Sequence, residues 1–466
     1  MKTTNGSSES SAKQRWEMTR ILTSFWIFGL CNNYAYVIML SAAEDILGQG
    51  HQNTTDVETK CLEKITSRRC TIITTGAVLL ADILPCLLVK LTFPFFMQRI
   101  PFGQVIINTS FRNMLITITQ LFNRRFFLRC CDVLNSKRLW MLDLKSYISG
   151  VVFASISSGF GEITYLSLTP YFTKNTISTW SSGTGGAGII GSLTYAALTE
   201  PHFLNLSPRI TLLIMLVVPL IFSLAYWCLL VFPDSIHKIS ILKPSTWVVP
   251  KTCLSETSFN DISNIETQNA DKSLASSEHV KQRILSFKEM LLTTFSLLRF
   301  MIPLMLVYLG EYFINQGILQ LIIYPCNKGW YLTPSSQYRW YQVLYQAGVF
   351  ISRSSVNIIQ LPYWALILLP ILQFVNVAIF FLESLYFYIP HIWVLFLLIL
   401  FEGLFGGSSY VNTFTHIHNF AKPDVREFSM SISSLGDAIG IVTAGFISIP
   451  FYNHICQTSL PVHMTA

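Results

Sequence analysis

Residues 297–324 read LLRFMIPLMLVYLGEYFINQGILQLIIY, and this stretch decides the fold. Its charges are Arg299 at the start and Glu311 near the middle. An α-helix rises 1.5 Å per residue and needs about 20 predominantly apolar residues to cross the hydrocarbon core of a bilayer. The run meets that length and shows no broad polar face of the kind a surface helix carries. Comparable runs predict spans at 21–41, 71–96, 148–170, 182–199, 210–232, 341–361, 364–382, 391–413 and 430–452. Trp16, Trp180, Trp227, Trp330, Trp340 and Trp393 lie near span ends, as interfacial aromatics do.

Composition agrees. Only 12% of the 466 residues are charged and 51% are hydrophobic, against about 25% charged in soluble proteins. The net charge of +7 reads as basic cytosolic loops. No basic patch with interleaved aromatics points to nucleic acid. Residues 1–20 are polar, with Lys13, Arg15 and Arg20, and read as a cytosolic tail. The first apolar run is too long for the core of a signal peptide. Residues 104–147 are divergent and basic: a weak span over 104–122 is interrupted by Arg112 and followed by Arg124, Arg125, Arg129, Lys137 and Arg138.

Counting that span gives about eleven crossings. Loops 42–70 and 200–209 then face the lumen, with glycosylation sequons at Asn53 and Asn205. Cys61 and Cys70 share the first of these loops and are a candidate disulfide, two free thiols being the alternative. Segment 233–290 falls on the cytosolic side, rich in Ser, Thr, Asn and Glu without periodicity, and reads as a disordered linker. It separates a bundle over 21–232 from one over 291–466. Internal likeness supports two halves: FGEITYL at 160–166 resembles FGGSSYV at 405–411, and SSGTGGAG at 181–188 resembles SSLGDAIG at 433–440. The expected fold is therefore an all-α polytopic membrane protein, major-facilitator-like, in two pseudo-repeated bundles.

Ionisable residues within apolar spans are costly and point to function. Glu162, Glu311 and Arg353 lead this set, joined by Asp82, Asp437 and Glu402; Lys90 and Glu383 read instead as helix-end charges that snorkel to water or as pairs that fix packing. A carboxylate so placed suits a coupled proton, and Arg353 suits a phosphate or carboxylate, with a fixed partnership to Glu311 or Glu162 as its rival role. Asn32, Asn33, Gln316 and Asn412, with Tyr312 and Tyr410, add polar tips to a candidate substrate and proton pathway. Gly183-x-Gly185-x-x-Gly188 matches a dinucleotide fingerprint, but no strand precedes it. With Gly191, Gly436 and Gly440 it reads instead as close helix packing. No metal spacing, cofactor motif or nucleophile elbow appears, so no enzyme activity is expected.

The stretches CNNYAYVIMLSAA (31–43), VLLADILP (78–85), GVVFASISSG (150–159), WSSGTGGAG (180–188), EYFINQG (311–317), YRWYQ (338–342), YQAGVF (345–350) and YVNTF (410–414) resemble the battenin family. The resemblance implies a major-facilitator-like protein of lysosomal, late-endosomal or vacuolar membranes. It also implies roles in lysosomal pH, basic amino-acid balance, autophagy, endosomal trafficking and glycerophosphodiester clearance, and it marks Glu311 and Arg353 as sensitive positions. The chain departs from the family over 104–147, where members carry an ordinary apolar third span. It also extends past Cys456-Gln457-Thr458-Ser459, so no prenyl anchor is expected. Two function classes follow: a transporter of a small polar solute, or a membrane scaffold engaging trafficking proteins through 233–290. Membrane lipids are partners in either case.

Overall fold

A computed structural model describes residues 4–48, most of 61–102, 136–199, parts of 204–236, and 285–461. Asn53, Asn205 and nearly all of the 233–290 linker lie outside the described residues. The described chain is helical: α1 (Thr4–Gly48), α2 (Thr75–Thr92), α3 (Ser136–Leu168), α4 (Asn175–Thr199), α5 (Val217–Leu224), α6 (Phe287–Phe313), α7 (Pro334–Ser354), α8 (Tyr363–Tyr386), α9 (Ile392–Phe420), α10 (Arg426–Ser433) and α11 (Leu435–Gln457). Among the described residues, seven stretches are long and apolar enough to cross a membrane: Ala12–Ile38, Thr75–Phe95, Val151–Tyr171, Phe287–Leu321, Tyr363–Tyr386, Ile392–Phe420 and Arg426–Gln457.

Local chemistry sets the boundaries. Ser286 and Glu289 form a reciprocal capping box, so α6 begins ten residues before the expected 297. A π turn, Ile314–Ile318, continues it. Helix α7 corrects the expected span at 341–361. Thr333 caps it, Pro334 occupies its first turn, and it ends at Ser354. Hydropathy misplaced this span because its first half, PSSQYRWYQ, is polar.

Two groups of contacts fix the ends of the molecule. At one end Arg20 donates to the carbonyls of Cys228 and Leu229, Phe95 meets Phe287 and Phe428, and the Tyr171 hydroxyl donates to Glu427. At the other, the Cys326 N–H donates to Leu62 O, and Arg68 donates to the carbonyls of Ser384, Leu385 and Thr458. Helices α2 and α3 therefore run in the same direction; the weak span expected over 104–122 lies outside the described residues. The end of α11 lies at the end opposite Arg20, which accords with an odd number of crossings.

The expected Cys61–Cys70 pair is not formed. Cys61 bonds to Cys326 and Cys70 to Cys456. The loop lies across the ends of α6, α8 and α11, which brings cysteines 265 and 386 residues away in sequence within reach.

Helix α1 packs on α4, α2 on α3 and α11, α4 on α7, and α7 on α9. Glycine makes the α1–α4 contact: a Cβ on Gly183 would strike the Trp26 carbonyl, and one on Gly29 the Trp180 carbonyl. Gly185 faces the Phe350 backbone at 2.9 Å from its would-be Cβ, while Gly188 faces Gln346, Gly191 Val37, Gly436 Met301 and Gly440 Met305. Overpacking typically costs about 1–3 kcal/mol, and here the obstacle is backbone. Gly183→Val is therefore expected to lower the thermal unfolding temperature in detergent by several degrees. An unchanged temperature would refute the close approach.

Candidate functional site

Helix period brings the polar residues of the spans into one cavity. Asp82, Cys86 and Lys90 recur every fourth residue on α2, as do Tyr345, Val349 and Arg353 on α7 and Tyr308 and Tyr312 on α6. Ser155, Ser158 and Glu162 present one face of α3, Asn33, Tyr36 and Val37 one of α1, and Asp437 and Ile441 one of α11. With Thr184, Gln346 and Tyr410 they line a cavity of about 90 Å³ between the halves. That is room for roughly half a dozen water-sized positions.

Helix α2 is opened at Pro85. The Ser155 hydroxyl enters the gap, accepting from the Cys86 N–H at 3.0 Å and donating to the Asp82 carbonyl. A side chain inserted at a proline kink satisfies backbone groups that the helix has lost. It also seats Asp82 and Cys86 at the cavity wall.

Lys90 is 2% exposed and holds Glu162 Oε2 at 2.8 Å and Asp437 Oδ2 at 3.1 Å. Glu162 belongs to its own half and Asp437 to the other. Lys90 is paired, as one of its two expected readings had it, but it also lines the cavity, which that reading missed although its four-residue spacing from Asp82 and Cys86 was visible in sequence. Near the opposite end, the Tyr36 hydroxyl donates to that of Tyr312 at 2.8 Å. The cavity is thus bracketed by two contacts between halves, Lys90–Asp437 and Tyr36–Tyr312.

Arg353 differs from Lys90. Its guanidinium donates to Thr184 Oγ1 at 2.6 Å and to the Tyr308 hydroxyl at 2.9 Å, and lies 4.2 Å from the Tyr410 ring centroid. No carboxylate lies within ion-pair distance of it among the described residues. Glu162 instead accepts from the Tyr410 hydroxyl at 3.1 Å.

Glu311 stands behind the wall. Tyr345 donates to its Oε1, and its Oε2 presses on Gly406, where a Cβ would collide with it. Glu402, fully buried, accepts from the Asn315 amide at 2.9 Å. Asn33, Asp82, Glu162, Arg353 and Asp437 are therefore brought together, with Glu311 one tyrosine away. The other candidates lie elsewhere. Asn32 packs against Gly161 and donates to Ser158 O, and the Gln316 carbonyl accepts from Thr75. Asn412 accepts from the Leu361 N–H in the α7–α8 connection. Glu383 accepts from Tyr324 and the Ile389 N–H at the end of α8.

A family model described as CLN3 protein matches residues 23–458. The chain belongs to this family. Battenin of Canis lupus familiaris is 36% identical over 93% of this chain and 91% of its own length. Protein btn-1 of Neurospora crassa is 34% identical over 94% of this chain and 89% of its own. Protein BTN1 of Saccharomyces cerevisiae is 34% identical, covering 94% and 95%. Among solved structures, a bacterial homologue of the iron transporter ferroportin in an outward-facing state aligns over 93% of this chain and 98% of its own. Its TM-score is 0.51 at 13% identity. The same homologue with soaked iron aligns with a TM-score of 0.50 at 12% identity, covering 96% and 99%. At such identity the likeness speaks to fold alone. This CLN3-family chain is a multi-pass, all-helical membrane protein of major-facilitator-like architecture.

Removing one partner of a buried ion pair typically costs about 3–5 kcal/mol, whereas replacing the whole set with neutral groups costs far less. Lys90→Met is expected to lower the unfolding temperature sharply. Lys90→Met/Glu162→Gln/Asp437→Asn should recover most of it. A triple variant as unstable as the single one would show that the lysine acts by packing alone.

Proposed function

We propose that this chain is a carrier of lysosomal or late-endosomal (vacuolar) membranes that moves a small polar solute by alternating access between its halves. The observation that carries the reading is Arg353. It is a permanent cation at the cavity wall, held by two hydroxyls and an aromatic face rather than by a carboxylate. A planar guanidinium so placed can receive a phosphodiester or carboxylate with two parallel hydrogen bonds. The acids opposite it, with the tyrosines, suit a cationic group on the same solute. This chemistry fits glycerophosphodiesters, and basic amino acids through their α-carboxylate. Solute clearance of this kind would support lysosomal pH, autophagy and endosomal trafficking. The two disulfides fit the loop 42–70 on the oxidising, lumenal side.

For transport, the bracketing contacts must open in turn. Lys90 keeps Glu162 within its own half when Asp437 withdraws, so the ammonium is never left without a counter-ion. Glu311, close to the wall and joined to it by Tyr345, is the proposed carrier of a coupled proton.

The deciding experiment uses lysosomes from cells lacking the protein, with and without re-expression, loaded with labelled glycerophosphodiester or arginine. Re-expression should speed the exit of one solute, and Arg353→Ala should reduce that gain at least tenfold. Unchanged exit, with the lysosomal defects of the cell still corrected, would replace the carrier by a scaffold acting through 233–290. In the same assay Glu311→Gln is expected to flatten the dependence of exit on the proton gradient. A gradient dependence equal to that of the unaltered protein would exclude Glu311 as the proton carrier.

A further inference from the structure

The two halves meet along two seams, α2 against α11 and α4 against α7, and the two are not fastened alike. The Cys70–Cys456 disulfide joins the approach to α2 with the last turn of α11. Nine residues earlier, Cys61 is bonded to Cys326 in the α6–α7 connection. Between them Arg68 donates to three carbonyls at the ends of α8 and α11: Nη1 to Ser384 at 2.6 Å, Nε to Thr458 at 3.0 Å and Nη2 to Leu385 at 3.1 Å. The guanidinium also lies 5.6 Å from the Phe387 ring centroid. The segment belongs to the first half by sequence and is bound to the second half by covalent bonds. All of these contacts lie at the Tyr36–Tyr312 end of the cavity. At the same end the α4–α7 seam carries a 3.4 Å hydrogen bond from Arg339 to Thr199 and no disulfide among the described residues.

We propose that residues 61–70 are a covalent strap that pins the α2–α11 seam at this end, so that the cavity opens there by parting α4 from α7. Cys70 lies five residues before the first residue of α2, and at most about 3.6 Å per residue separates them along the chain. The α2 terminus therefore has a short leash to α11. Among the described residues the α4–α7 seam has no such leash, and hydrogen bonds and van der Waals contacts can be remade on each cycle. The inference rests on the reading of the two halves as moving parts. Cutting the strap should release the pinned seam. Each disulfide takes two electrons and two protons from an added dithiol, which leaves as its own disulfide, and yields two cysteine thiols.

The test places spin labels on noncanonical residues, which leaves the native cysteines intact. One pair, at Val78 and Phe451, reports the strapped seam. The other, at Leu198 and Trp340, reports the α4–α7 seam. Dipolar coupling is measured in the oxidised full-length protein, and after dithiothreitol treatment, iodoacetamide capping and removal of the dithiol. The oxidised protein should give one narrow distance at 78/451 and a broad or split distribution at 198/340. After reduction the 78/451 distribution should broaden as well. A Cys70→Ser/Cys456→Ser protein should match the reduced one; if it fails to fold, the reduced native chain decides. A split 78/451 distribution in the oxidised protein, or one that reduction leaves narrow, overturns the strap alone. If neither pair moves before or after reduction, the moving-halves reading falls and the strap with it.

Discussion

A lysine ammonium cannot be left unpaired in the interior of a membrane protein, and the arrangement of this molecule turns on how Lys90 is neutralised. One carboxylate would balance it. The chain supplies two, Glu162 from the same half and Asp437 from the other. The contact with Asp437 ties α2 to α11, and that with Glu162 ties α2 to α3. Desolvation makes each partner costly to remove, so the three side chains fix the register of three helices at once. They also place two carboxylates around one ammonium at that end of the cavity, while Arg353 lies at the α7 wall with no carboxylate in ion-pair distance among the described residues. Separation of charge across a small polar space is what recognition of a solute with both an anionic and a cationic group requires.

The aromatic residues mediate between these charges. Tyr410 touches Arg353 with its ring and Glu162 with its hydroxyl, and the Trp180 indole lies 3.4 Å from that same hydroxyl. Tyr308 holds the guanidinium, Tyr345 holds Glu311, and Tyr36 meets Tyr312 across the halves. A phenol offers an apolar body to helix packing and a hydroxyl to the cavity. That combination allows a polar pathway to be built without exposing charge to lipid. Around it the glycine contacts of α1 with α4 and of α4 with α7 bring helix backbones close. The strap over the opposite seam makes the two interfaces mechanically unequal.

Most spans were legible because hydropathy reflects a solvent constraint: a segment facing lipid must be apolar along its whole length. The same logic misplaced α7. That helix turns a polar face to the cavity and to neighbouring helices, so its first half does not read as a span, although Thr333-Pro334 marks its start by ordinary helix chemistry. The candidate site was legible where a lone charge interrupted an apolar run, as at Asp82, Glu162, Arg353 and Asp437. Lys90, near the end of its helix, looked like a residue whose charge could reach water. Only the packing of α3 and α11 around it shows otherwise. Asn32, Gln316 and Asn412 carried the same polar signal as Asn33, yet their side chains or carbonyls complete contacts between elements.

By itself the sequence determined that the chain is an all-helical membrane protein of this family, with internal likeness between its halves, because span length, apolarity and local motifs are properties of contiguous residues. Tertiary structure alone decided which charges meet, which cysteines bond and that Arg353 is held by hydroxyls and a tyrosine ring, with no carboxylate in ion-pair distance among the described residues. The physical reason is range. Hydropathy and helix caps act within a few residues, whereas Lys90 and Asp437, or Cys70 and Cys456, are joined across 347 and 386 residues by the packing of the two halves.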